Sequence, residues 1–177
     1  MSKPTLATVW LDGCSGCHMS FLDIDDRLLA LAEQADLVYS PLVDRKDFPE
    51  SVDITLVEGA VSNEEDLAKI KKVRAHTRVL VSLGDCAITS NIPGMRNSFG
   101  VKAVLERAFV DNVTTPAPAP SEVIPKLLER VRPVHEVVPV DVYLPGCPPP
   151  ADMIFRALED LIAGRTPDGN GVQRFGA

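Results

Sequence analysis

The sequence predicts an α/β fold: a doubly wound, mostly parallel five-stranded sheet of flavodoxin-like order, 2-1-3-4-5. Three observations point there. Apolar runs of strand length alternate with helix-period stretches along the whole chain. Glycine-containing turns close the strand-length runs, as βα connections require. The 177 residues are 45% apolar and 24% charged, which suits one globular domain and excludes wholesale disorder or a fibrous repeat.

The first strand is predicted over residues 5–11 (TLATVWL), followed by a glycine turn and a helix over 18–34 that buries Phe21, Leu22, Leu28, Leu29 and Leu31. Residues 36–43 read as strand two, placed at an edge by Pro41. Strand three spans 52–57 (VDITLV), and Ser62 with Glu65 forms a capping-box signal for a helix running to His76. Strand four covers 78–83 (RVLVSL), and a loop with Pro93 and Gly94 leads to a helix over 101–110.

Ten of the fifteen prolines lie between Pro116 and Pro150. Residues 111–120 therefore read as a proline-rich surface excursion within a single domain of 1–177. A short helix over 122–131, strand five over 140–144 and a last helix over 151–163 complete the fold, leaving 164–177 as a tail. In open sheets of this kind ligands bind at the carboxyl ends of the strands.

Charge and hydropathy narrow the function. The formal net charge is −7 and the longest basic run is Lys71-Lys72, so the clustered positive charge of a nucleic-acid or anionic-membrane surface is missing. No run approaches the length of a membrane span, and the N-terminus carries no leader signal, so a cytoplasmic protein is expected. In that reducing setting four cysteines are ligands or redox groups before they are disulfides.

All four cysteines fall just past strand ends. Cys14 and Cys17 follow strand one in GCSGC, Cys86 follows strand four in GDC, and Cys147 follows strand five in PGCPPP; Glu58 ends strand three on the same edge. Besides buried, inert cysteines, three chemistries remain open. Cys14 and Cys17 could form a thioredoxin-like redox pair, which leaves Cys86 and Cys147 without a task. Structural zinc sites usually draw on two close pairs, and here two of the cysteines are solitary. One [4Fe-4S] cluster held by Cys14, Cys17, Cys86 and Cys147 uses all four, and the helix beginning near Cys17 presents its amino end to that anion.

These motifs are recognisable. WLDGCSGCHMSFLD (10–23), VEGA (57–60), GDCA (84–87), PGMRN (93–97) and PGCPP (145–149) resemble, in order, the small subunit of a [NiFe] hydrogenase, over about residues 5–163. The same superfamily includes the 20 kDa subunit of complex I, which carries adjacent cysteines where this chain has CxxC. Periplasmic hydrogenase small subunits add a twin-arginine leader and a second cluster domain. The sequence is most similar to the compact small subunits of soluble bidirectional NAD(P)-linked enzymes.

The resemblance implies a large subunit carrying the nickel-iron centre and diaphorase subunits carrying flavin and further iron-sulfur clusters. With four thiolates for one cubane, this chain holds no relay of its own. The implied net reaction is H2 + NAD(P)+ ⇌ NAD(P)H + H+. A quinone- or ferredoxin-linked hydrogenase subunit, a complex I-like subunit, and a free-standing CxxC thiol-disulfide protein are the alternatives. Glu58 is then a candidate proton relay, the other reading being a solvated loop carboxylate. His18 either donates to a cluster sulfur or simply occupies the first helical turn, and Asp85 either lowers the cluster potential or shapes its turn. Arg96 and Asn97 are candidates for the subunit interface or a solvated loop. Trp10 is read as packing, and His76 and His135 carry no chemistry.

Overall fold

The structure, a computed structural model, describes residues 3–115 and 117–167. A parallel sheet runs through it. Its strands are β1 (Thr5–Trp10), β2 (Asp36–Tyr39), β3 (Val52–Glu58), β5 (Thr77–Leu83) and β7 (Val142–Leu144), in the order β2-β1-β3-β5-β7, every neighbouring pair parallel. This is the expected order 2-1-3-4-5. The remaining strands, β4 (Val61–Asn63) and β6 (Leu127–Arg132), form a separate antiparallel ribbon.

Alternation along the strands divides the core in two. Leu6, Ile54, Leu56, Val81, Leu83 and Leu144 face a layer made by α1 (Gly16–Leu22), α2 (Arg27–Gln34) and α7 (Ala151–Ile162), where Phe21, Leu31, Ile154 and Leu158 are buried. Val9, Val57 and Leu80 point the other way, onto Ile70 and Val73 of α3 (Glu64–Ala75) and onto Val134 and Val138. The central strands are buried on both faces, which is why they read as continuous apolar runs. Short helices α4 (Asp85–Thr89), α5 (Asn91–Gly94) and α6 (Val101–Glu106) follow β5, and the chain continues from α6 through a π-helical turn to Asp111.

Several sequence expectations are corrected. Residues 122–131 form no helix: the segment ends in β6, with Leu127 in register with Asn63 and Arg132 with Val61. The expected helix over 18–34 is two helices, broken at residues 23–26, where Asp25 takes φ 60 and Ile24 turns inward, and Leu22 and Leu29, expected in the core, are exposed. Strand two stops at Tyr39, short of Pro41, and strand five begins only at Val142. The cap of α3 lies one residue beyond the Ser62 signal: Asn63 Oδ1 accepts the Asp66 N–H at 2.9 Å, and Asp66 Oδ2 accepts from the Asn63 side chain at 2.8 Å and the Ser62 N–H at 3.2 Å. Pro116 of the proline-rich stretch and residues 168–177 of the expected tail lie outside the described residues. Among those described, no helix is long and apolar enough to cross a membrane.

Candidate functional site: four thiols at the carboxyl edge of the sheet

Three loops leave the carboxyl edge, and each is tied down by its neighbours. After β1 the chain bends over β3: the Leu11 N–H donates to the Glu58 carbonyl at 2.9 Å, and Asp12 and Ala60 exchange backbone hydrogen bonds at 3.0 and 2.7 Å. Gly59 permits this approach. Its φ is +91°, and a Cβ there would lie 2.8 Å from the Asp12 oxygen. The loop then enters α1 with Cys14 just outside it and Cys17 in its first turn.

The Cys86 and Cys147 loops are joined to each other. The Gly84 N–H donates to the Leu144 carbonyl at 2.8 Å, the Asp85 N–H to the Gly146 carbonyl at 2.9 Å, and the Gly146 N–H to Asp85 Oδ1 at 2.8 Å. From the first loop, the Ser20 hydroxyl donates to the Pro149 carbonyl at 2.5 Å, linking α1 to PGCPPP. Gly84 is the point of closest approach, because a Cβ at its φ of +83° would overlap the Cys17 sulfur. The Cys147–Pro148 peptide is cis.

The thiols that these loops carry are all free. Cys17 is buried, Cys86 is half-buried, and Cys14 and Cys147 are exposed. Burial pushes the Cys17 thiol far above its ordinary value, and the Glu58 carboxylate and the sulfurs of Cys86, Cys14 and Cys147 push in the same direction. Cys86 is pushed up to about 11, chiefly by burial and by the charges of Cys147 and Cys14, against an opposing hydrogen bond from the Ile92 N–H. The four sulfurs therefore sense one another, and bound cationic metal would relieve the strain of ionising them together.

The residues present fit an iron-sulfur cluster. Four free thiols are carried on three loops, and an N–H donor faces one of them: Asn91 Nδ2 lies 3.6 Å from Cys147 Sγ. Among the described residues, no three His, Cys, Asp or Glu side chains are grouped so as to hold a single metal ion.

Glu58 is not a solvated loop carboxylate. It is 1% exposed, and its Oε2 accepts the His18 backbone N–H at 3.0 Å, Trp10 Nε1–H at 3.1 Å and His18 Nδ1. Burial alone would raise its pKa; the His18 and Trp10 donors and the His18 charge outweigh it and hold the carboxyl below its ordinary value. His18 spends Nδ1 on this bond, and its Nε2 is buried without a protein partner. The Trp10 ring stacks edge-on against His18 at 5.2 Å, so Trp10 positions this group as well as packing.

Asp85 shapes its turn through Gly146, as described above. Arg96 Nη2 donates to the Ser62 and Leu128 carbonyls, both at 2.9 Å, and Asn97 pairs with the Val131 backbone at 2.9 and 2.8 Å, so both residues brace the β4-β6 ribbon. His76 and His135 lie away from the thiols: His76 contacts the Glu50 carbonyl and His135 the Tyr143 ring. Sequence reasoning missed Ser20 and Asn91. Ser20 lies inside the first cysteine motif, whereas no pattern marks Asn91.

Comparison with known proteins places this edge in a family. The profile of the NADH ubiquinone oxidoreductase 20 kDa subunit matches residues 14–161. The NAD-reducing hydrogenase HoxS subunit delta of Cupriavidus necator is 44% identical, over 92% of this chain and 80% of its own length. One subunit of the F420-non-reducing hydrogenase of Methanothermobacter thermautotrophicus is 38% identical, over 92% of this chain, which spans 54% of that relative. A crystal structure of an NAD+-reducing [NiFe]-hydrogenase in the H2-reduced state superposes with a TM-score of 0.93 at 43% identity, covering 98% of this chain and 99% of that one. A [NiFeSe]-hydrogenase of Desulfomicrobium baculatum shares the fold alone, with a TM-score of 0.58 at 16% identity, over 93% of this chain and 62% of its own. The chain belongs to the family of the NADH ubiquinone oxidoreductase 20 kDa subunit and, within it, to the small subunits of [NiFe] hydrogenases.

Proposed function

We propose that this chain is the electron-transfer subunit of a cytoplasmic NAD(P)-reducing [NiFe] hydrogenase, in which Cys14, Cys17, Cys86 and Cys147 hold one [4Fe-4S] cluster between the nickel-iron centre of a large subunit and a flavin-containing diaphorase module. The convergence of four free thiols on three mutually bonded loops carries this reading. When bound, the cluster supplies one-electron transfer. The chain's own residues hold it, exclude water around Cys17, and leave Cys14 and Cys147 on the exposed side, where a partner can approach.

Glu58 is proposed as a proton relay toward the large subunit, with Trp10 and His18 fixing its carboxylate. Ile92, Met95 and Phe99, 65%, 65% and 72% exposed, lie on the segment that Arg96 and Asn97 anchor, and this apolar strip beside the Cys86 loop suits a large-subunit contact. A free-standing thiol redox protein fits poorly, since it uses Cys14 and Cys17 and leaves Cys86 and Cys147 without a task. Likeness to the F420-non-reducing enzyme favours a second reading, in which the same subunit feeds a different acceptor module.

Anaerobic purification by a tag on this chain tests the assignment. A nickel-containing large subunit and a flavin-containing diaphorase are expected to co-purify, while an acceptor module without flavin and NAD(P) activity supports the second reading. Cys86→Ser and Cys147→Ser should abolish hydrogen-dependent NAD(P) reduction. Full iron content and activity in either variant overturn the four-thiolate cluster. Glu58→Gln should retain iron and lose hydrogen turnover; unchanged turnover removes the relay role.

A further inference from the structure

The junction between α4 and α5 has a conformation that the sheet does not require. Ser90 and Asn91 are successive non-glycine residues with positive φ, 66° and 27°. Such geometry persists where the surroundings over-determine it, often at functional positions. Here the Ser90 N–H donates to the Cys86 carbonyl at 3.1 Å, its carbonyl accepts the Gly94 N–H at 2.8 Å, and Ser90 itself is buried. The consequence lies in the Asn91 side chain. Asn91 Nδ2 is placed 3.6 Å from Cys147 Sγ. One short segment following the Cys86 helix thus aims a side-chain N–H at a sulfur carried by a different loop.

We propose that Asn91 is a positioning residue for the cluster: its side-chain amide donates to the Cys147 sulfur, orders that exposed loop and raises the reduction potential of the bound group. The inference rests on the four-thiolate reading above. One-electron reduction adds negative charge that is shared with the ligating sulfurs, so an N–H donor stabilises the reduced form more than the oxidised one. Removing the donor must shift the potential downward. A residue that only shaped the loop would change how much cluster is held, leaving its potential as it was.

The test uses the full chain purified without oxygen and titrated with dithionite, the potential being read by electron paramagnetic resonance from the loaded fraction. Asn91→Gly accepts positive φ freely and has no donor; Asn91→Asp keeps the shape, tolerates the same backbone and replaces the donor with a charged acceptor. The midpoint is expected to fall in Asn91→Gly and to fall further in Asn91→Asp. Variant midpoints equal to that of the unmodified chain overturn the inference and leave the cluster assignment standing. Complete loss of the cluster from Asn91→Gly overturns the potential-setting role in favour of a structural one. An unmodified chain that holds no iron and sulfide overturns both.

Discussion

Glu58 and His18 meet twice: the buried carboxylate at the end of β3 accepts both the backbone N–H and the ring Nδ1 of the residue that follows Cys17. The first turn of α1 is thereby fastened to the central strand of the sheet, and Trp10 adds a third donor from the end of β1. Protein groups alone hold the cysteine loop from below.

Removing that acceptor leaves three donors in the interior without a partner. Each such group costs roughly 1–3 kcal/mol, so Glu58→Ala should lose about 3 kcal/mol or more of stability. Glu58→Gln retains an oxygen acceptor of similar shape and should lose less. Urea unfolding followed by circular dichroism measures both; a Glu58→Ala midpoint matching that of the unmodified chain contradicts the anchoring role.

At Gly84 a methyl group and the Cys17 sulfur compete for the same space, at a backbone angle that disfavours any side chain. Gly84→Ala is therefore expected to reduce iron and acid-labile sulfide well below the unmodified level. Normal metal content in this variant would show that the Cys86 and Cys17 loops do not pack as described.

Asp85 separates charge from shape. Asp85→Asn keeps an oxygen for the Gly146 N–H and removes a negative charge beside Cys86, so metal content should be retained and the cluster potential should rise. Asp85→Ala deletes the acceptor and should cost about 1–2 kcal/mol in thermal unfolding. Equal potentials in Asp85→Asn and the unmodified chain would leave Asp85 a turn residue only.

The sheet and the four cysteines were legible because each rests on local chemistry: runs such as residues 52–57 are apolar on both faces, and glycine and proline mark the loops that follow. What was not legible depends on partners distant in sequence. Leu127, Leu128 and Val131 have helical spacing, yet β4 and the Asn97 side chain supply the hydrogen bonds that make β6. Glu58 was recognised as an edge residue, but its burial follows from Trp10 and His18 closing over it. Asn91 depends on a left-handed pair without glycine, for which no sequence signal exists.

Acid should weaken the fold in part through Asp141. Burial opposes ionisation of this group, but the Leu80 N–H at 2.7 Å and the Arg74 guanidinium at 2.6 Å hold its carboxyl below the ordinary value. A depressed folded pKa contributes stability that is fully present above the unfolded value of about 3.9 and is lost as pH falls through the lower folded value. Asp141→Asn should therefore be less stable than the unmodified chain at pH 7, with the difference shrinking below pH of about 4. A difference that stays constant between neutral pH and acid contradicts this assignment.

The most direct test of the central claim is a count of iron and acid-labile sulfide in this chain isolated without oxygen. Four thiolates around one cubane predict about four irons and four sulfides per chain, with broad absorption near 400 nm. Zinc in their place, or a disulfide between any two of Cys14, Cys17, Cys86 and Cys147, would contradict it.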